Sequence, residues 1–422
     1  MESLQLLAKI SRFRKLTKLS MAKNMKKMRH KLNNIAEQRH NYGFKKEPCP
    51  NVQQLPDKRE TWSTKEPHLV ERTDEKEKLF SRLSHAINQE KPLLTILPIY
   101  GIGGIGKTTL IKQIYSDARI KDYSQVWVYV SQNFDMRNIG NFIISEVSKS
   151  ESKLPSLELV KNQLGEVLAD RKIFIVLDDL WETDRQQLDM LKDMLNVCNG
   201  SNVIAIVTTR YKNIADQICT VEPYKISLLT NDMCWDIMKL KVNFEARPDK
   251  DQLEKIGREI ASKCGGLALA AQTLGYMLES RTFREWESVR DNEIWDKSPS
   301  EDISSSNVIA SLMLSYNSMP RYLKLCFAYC ATFPKGHKIV KDDLIYQWIS
   351  LGFIEPPNTF STWQHGENYV SHLMGMSFLH HYTILETFGM YDEYVTVFTM
   401  HDLVHDLARS VMVVDEILDT TE

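Results

Sequence analysis

The sequence predicts a parallel α/β sheet covered by helices on both faces, then an all-helical segment, then helices closed by a short hairpin. Three observations predict it. Near-continuous apolar runs rich in β-branched residues recur at 93–99, 126–130, 173–177 and 203–207, with helical stretches such as 107–118 and 157–170 between them. Strands that lack apolar–polar alternation and are separated by helices belong to sheets buried on both faces. From Asp232 to about Ile294 the pattern is mostly helical. After a polar, Ser-rich stretch at 297–306, residues 307–410 are helical again and end in two apolar strand-like runs, 381–387 and 394–399, around the turn-like FGMYDE.

At 422 residues the chain has length for about three domains. Its apolar and charged fractions, 43% and 26%, exclude a disulfide miniprotein, a collagen-like chain and a wholly disordered one. The net charge of −2 hides an imbalance: residues 1–46 carry thirteen Lys/Arg against Glu2 and Glu37, a local +11 that leaves −13 for the rest. This basic segment reads as a short helix. Met21, Met25, Met28, Leu32 and Ile35 are spaced 4, 3, 4 and 3 apart, and Leu6, Ile10 and Phe13 begin a second seam. Two readings stay open for it: a helix paired with a partner helix, or a basic face that contacts a membrane surface or nucleic acid. Residues 47–68, with four prolines and no period, read as a linker. A helix is expected from Thr73 through Leu79, Phe80, Leu83 and Ile87, with Asp74 and Glu75 in its first turn. Seven scattered cysteines without metal spacing read as reduced thiols. No signal-peptide pattern and no run of 18 apolar residues occurs. The chain shows no 20–50-residue repeat and no L-x-x-L-x-L series.

Three strand ends carry the chemistry. Gly101-Ile102-Gly103-Gly104-Ile105-Gly106-Lys107-Thr108 fits G-x-x-x-x-G-K-[ST], between an apolar strand and a helical run. Its glycines let backbone N–H groups approach phosphates, and the following helix adds positive potential at its N-terminus. Lys107 is expected on the β/γ-phosphates and the Thr108 hydroxyl on Mg²⁺. IFIVLDDLW, 173–181, ends a buried strand in two carboxylates. Asp178 is placed to ligate Mg²⁺, directly or through its water, and Asp179 to position or activate a water, which makes these two the candidate catalytic pair. VIAIVTTR, 203–210, ends a strand in Thr208, Thr209 and Arg210, where an arginine can sense a γ-phosphate.

With these three motifs in this order, the chain resembles the NB-ARC module of plant nucleotide-binding leucine-rich-repeat immune receptors, within the wider signal-transduction ATPase class. WVYVSQNFD (127–135), YKISLLTNDMCWDIM (224–238), CGGLALAAQTLG (264–275), LMLSYNSMPRYLKLCFAYCATFPKG (312–336) and MHDLVHDLA (400–408) resemble family segments in family order, so the resemblance covers about 66–410. Trp181 of LDDLW points to the coiled-coil class. The resemblance implies an α/β P-loop NTPase domain over 69–229, a helical subdomain over 230–298 and a winged helix over 299–422, with 1–46 as part of a coiled-coil domain. It also implies an ADP/ATP-binding switch in defence signalling, in which nucleotide exchange opens the domains and drives oligomerisation. By the same analogy Val70 and Arg72 flank the adenine, Thr109 touches a phosphate, Arg210 senses the nucleotide, Leu267 and Ala268 wall the adenine pocket, and His401 reaches the ADP β-phosphate. Trp348 and Phe353 are expected in the core.

The sequence departs from the family pattern at Ala268, where the "GLPLA" motif has proline, and at Glu71-Arg72, where the family has Gly-Arg. The N-terminal segment is shorter than a complete coiled-coil domain and no repeats follow Glu422, so a receptor truncated at its N-terminus and lacking its repeat region is expected. Other receptors or signalling proteins, met through the basic helix, are the implied protein partners, with homo-oligomers on activation and no specific nucleic acid. The cytoplasm is the expected location, with peripheral contact at the plasma membrane. Alternative readings are a nucleotide-binding decoy or adaptor that pairs with complete receptors, and a turnover ATPase, since the two carboxylates permit hydrolysis.

Overall fold

Helix α1 (Thr73–Asn88) buries Leu79, Phe80 and Leu83 and leads into β1 (Leu93–Tyr100), the first strand of the computed structural model. The structure describes residues 70, 72–88, 93–130, 134–196, 201–296, 303–354, 361–388 and 391–418. The basic segment 1–46 and the linker 47–68 lie outside the described residues, as does Glu71.

After β1 come α2 (Lys107–Tyr115), β2 (Ser124–Tyr129), α3 (Met136–Ser148), α4 (Leu157–Leu168), β3 (Lys172–Asp178), α5 (Arg185–Leu195), β4 (Asn202–Thr209), α6 (Lys212–Ile218) and the two-residue strand β5 (Tyr224–Lys225). Helix starts are fixed locally. Asp135, Ser156 and Asp184 accept hydrogen bonds from the first free backbone N–H groups of α3, α4 and α5. The sheet is parallel throughout, in the order β2-β3-β4-β1-β5. All eight residues of β4 are buried, as are Ile173 to Asp178 of β3, which explains their unbroken apolar runs. The order matters for the site: β4 lies between β1, which feeds the glycine-rich loop, and β3, which carries the carboxylates.

The helical segment comprises α7 (Asn231–Lys241), α8 (Lys250–Lys263), α9 (Ala268–Leu278) and α10 (Phe283–Arg290). The winged helix comprises α11 (Ile303–Asn317), α12 (Arg321–Tyr329), β6 (Ile339–Val340), α13 (Lys341–Leu351), α14 (Thr362–Gly375), β7 (His380–Phe388), β8 (Tyr391–Thr399) and α15 (Asp402–Leu418). Its antiparallel sheet has the order β6-β8-β7, so the expected hairpin gains a third, short strand. Trp348 is wholly buried and Phe353 half-buried, both in the core.

The two faces of the parallel sheet differ. Ile96, Val126, Ile175 and Val207 face a closed core made with α3, α4 and α5. Leu97, Phe174 and Ile206 face a core that continues without a break through the helical segment into the winged helix. Among the described residues, no helix is long and apolar enough to cross a membrane.

Candidate nucleotide site

The glycine-rich loop turns where only glycine turns easily. Gly104 has φ 75° and Gly106, immediately before α2, has φ 102°. Close approach is the second reason for glycine. A Cβ on Gly103 would lie 2.9 Å from the Arg210 guanidinium, one on Gly104 would lie 3.0 Å from Leu269 Cβ, and one on Gly101 would lie 2.6 Å from Ile226. The loop is therefore walled by β4, by α9 and by the segment after β5.

Lys107 is buried, and its Nζ donates to Gly101 O at 2.7 Å and Ile102 O at 3.1 Å. Thr108 Oγ1 donates to Asp178 Oδ1 at 3.1 Å, across the gap between α2 and the end of β3. The same carboxylate oxygen accepts from Thr208 Oγ1 at 2.6 Å, and Thr208 Oγ1 accepts from the Asp179 backbone N–H at 2.6 Å. Thr208 thus holds Asp178 and also the left-handed Asp179, φ 63°. Burial pushes the Asp178 carboxyl up to about 6, against the lowering effect of the Thr208 and Thr108 hydroxyls. Two facing hard oxygen ligands beside a carboxylate short of countercharge suit a divalent cation, and Thr108 and Asp178 are the residues that would hold Mg²⁺.

Positive groups converge opposite. Burial first, and then the Arg210 charge, push Lys107 down to about 8. Burial, then Arg210, His380 and Lys107, hold His401 well below the usual imidazole value. Arg210 is itself lowered by burial. The Arg210 charge lowers both Lys107 and His401, so positive potential gathers beside the loop, and an anion would relieve it. The residues therefore fit a polyphosphate.

The winged helix closes this site through Asp402, a residue that sequence spacing does not assign to the site. Asp402, the first residue of α15, forms an ion pair with Arg210 from the end of β4, and its Oδ1 lies 2.9 Å from His401 Nδ1. Asp402 lies in the MHDLVHDLA segment, but an acid in the first turn of a helix also reads as a dipole partner, so its pairing with Arg210 is not legible from spacing alone. Gly336 of the winged helix also approaches the Tyr129 ring, whose hydroxyl lies 3.4 Å from Asp179 Oδ2.

The other predicted residues divide. Arg72 is buried but works as a clamp: Nη2 donates to Ile105 O at 2.7 Å, Nη1 donates to Ser227 O at 2.8 Å, and the guanidinium pairs with Glu75. Glu75 is buried as well and accepts from Tyr224 Oη at 3.2 Å and from Ser227 N–H at 2.8 Å. Val70 and Thr109 are half-buried. Leu267 is wholly buried in the core, and Ala268 and Leu269 are the residues of that motif that meet the loop. Ala268 opens α9 as its first residue, a position that accepts proline or alanine because its N–H has no intrahelical partner. The concavity of about 350 Å³ between Lys121, Gln125, Glu146 and Lys149 contains none of these residues.

Residues 72–247 match the NB-ARC domain, and residues 332–408 match the disease resistance protein winged helix domain. The chain carries an NB-ARC domain and a disease-resistance winged-helix domain. It is 33% identical over 396 residues to disease resistance protein RGA2 of Solanum bulbocastanum, covering 92% of this chain and 39% of that protein. It is 29% identical over 348 residues to disease resistance protein RPM1 of Arabidopsis thaliana, covering 78% of this chain and 36% of that protein. The NB-ARC chain thus spans well under half the length of these relatives. It is distantly similar to a solved signal transduction ATPase with a tetratricopeptide repeat sensor from Pyrococcus horikoshii, at TM-score 0.46 and 15% identity over 85% of this chain and 44% of that one. The NB-ARC match supports nucleotide binding by this chain.

Proposed function

We propose that this chain is the ADP/ATP-operated switch of a plant immune receptor, acting in defence signalling through nucleotide-dependent opening of the winged helix. The observation that carries the reading is the Arg210–Asp402 pair beside His401, above the glycine-rich loop. Phosphates would bind on the loop's N–H groups, the α2 N-terminus and Lys107, with Mg²⁺ on Thr108 and Asp178. Mg²⁺ supplies charge neutralisation of the phosphates when bound. In the ADP state Arg210 stays with Asp402, and His401 faces the diphosphate, so the winged helix is part of the binding site. A γ-phosphate competes with Asp402 for Arg210. A ligand that has different partners in two arrangements shifts their populations, and one without such a difference shifts nothing. Opening would then free the surfaces for oligomerisation. Asp179 is placed to act on a water in slow hydrolysis that resets the switch.

The test is the nucleotide that the purified chain carries. ADP at close to one per chain, lost from Lys107→Ala with the far-ultraviolet spectrum unchanged, is the expected result. An empty wild-type chain, or a variant that keeps its ADP, defeats the reading. Single-turnover phosphate release separates a switch from a turnover ATPase, because many turnovers per second without a partner would favour the enzyme.

A further inference from the structure

Trp181 follows the Asp178-Asp179-Leu180 turn at the end of β3. Its indole lies under Arg210, with the guanidinium carbon 4.8 Å from the ring centroid. It also meets the exposed Tyr211 ring edge-on at 5.9 Å, so the indole touches both the arginine and the residue next to it. The Arg210 guanidinium therefore has three close neighbours of different kinds, with the Asp179 and Asp406 charges beyond them. Gly103 leaves the space in which it rests against the loop, Asp402 gives it a counter-charge from the winged helix, and Trp181 gives it an aromatic face. Its Nε hydrogen has no acceptor among the described residues. Of the three contacts, Trp181 and Gly103 belong to the P-loop domain, and only Asp402 leaves when the winged helix moves.

We propose that Trp181 is a positioning residue for the nucleotide response: it holds Arg210 over Gly103 whether or not Asp402 is paired. An arginine released by its carboxylate would otherwise turn toward water, since its side chain has several free torsions and a strong preference for hydration. The indole face stabilises the cation where water is scarce and keeps it aimed at the loop. The carboxylate can then be exchanged for a phosphate without an arginine that must first be found and reordered.

This inference rests on the reading of Arg210 as the γ-phosphate contact, and a double-mutant cycle tests the two separately. The full chain is taken as wild type, Trp181→Leu, Arg210→Ala and the double variant, with Trp181→Phe as the variant that keeps a smaller aromatic face. Mg²⁺-ATP and ADP affinities are measured by competition against a fluorescent nucleotide, with thermal midpoints alongside. Trp181→Leu is expected to weaken ATP about three- to tenfold and ADP less, the range of a desolvated cation–π contact. Trp181→Phe should recover part of the loss, and Trp181→Leu should add nothing once Arg210 is alanine. Equal losses in the two backgrounds, or equal losses for ATP and ADP, would mean that Trp181 only packs, and the proposal falls. If Arg210→Ala itself leaves ATP affinity unchanged, the sensor reading fails and takes this inference with it.

Discussion

Two segments distant in sequence reach the glycine-rich loop, and they are attached by different chemistry. The helical segment is joined by the backbone: Leu269 N–H donates to Gly104 O at 3.0 Å and Leu229 N–H to Gly266 O at 2.9 Å, while within the P-loop domain Arg72 clamps the carbonyls of Ile105 and Ser227. The winged helix reaches the same loop domain through side chains: the Arg210–Asp402 pair, with Asp402 beside His401, and the approach of Gly336 to Tyr129. Main-chain bonds and a clamp on carbonyls do not respond to a phosphate. An ion pair in a cluster of cations does, because a second anion competes for the same guanidinium. One junction is built to stay and the other to exchange.

The largest expected effect breaks the exchangeable junction. Asp402→Ala leaves Arg210 largely buried without its carboxylate; the two side chains are only 17% and 10% exposed. Removing one partner of such a pair costs about 3 kcal/mol of the closed arrangement. Bound nucleotide should leave at least tenfold faster, and amide exchange should rise across 400–412 but not at Leu269. Unchanged release would show that the pair is not the latch. A smaller effect sharpens the contrast from the permanent side. Glu75→Gln weakens the link among Arg72, Tyr224 and Ser227, at a cost of about 2 kcal/mol. It should lower the thermal midpoint by about 5 °C while nucleotide release changes little; faster release without loss of stability would reverse the assignment of roles.

The third effect is on binding and pH. Lys107 in the ligand-free site is pushed down to about 8, burial first and Arg210 second, while a bound phosphate would keep it charged. The sign follows: ADP affinity without Mg²⁺ is full below pH 8 and falls as pH rises through and above it, approaching tenfold per unit. Isothermal titration at pH 7, 8 and 9 checks this, and a flat profile would place the Lys107 pKa outside that window. The smallest effect concerns Ala268→Pro. Leu267 already has the extended φ −107° and ψ 121° that a residue before proline prefers, and position 268 is the first of α9. A gain of about 0.5 kcal/mol, seen as a rise of a degree or two in differential scanning fluorimetry, is expected; destabilisation would show that the 268 N–H is in use.

Local pattern made much of this legible. The four main strands fall within a residue or two of the apolar runs, because a strand buried on both faces has no polar position to blur its ends. Gly104, Gly106, Lys107 and Thr108 are legible because a phosphate loop requires particular residue types at fixed spacing within eight consecutive residues, and Asp178 because it ends an unbroken apolar strand. The strand β5 was missed, since two residues give no period. The burial of Leu267 is not legible either, because a motif gives the order of residues but not which side chain faces the core.

What the sequence determined by itself, then, is every feature fixed over short range: the strands, the helix starts, the loop and the carboxylates that end β3. What only the tertiary structure decided is which charge meets which. Asp402 lies 192 residues from Arg210, and Glu75 is 152 residues from Ser227. An acid in a first helical turn looks the same in sequence whether it faces water or an arginine from another domain. The difference is made by burial and by the order β2-β3-β4-β1-β5, which sets Arg210 at the end of a central strand, between the loop and the carboxylates.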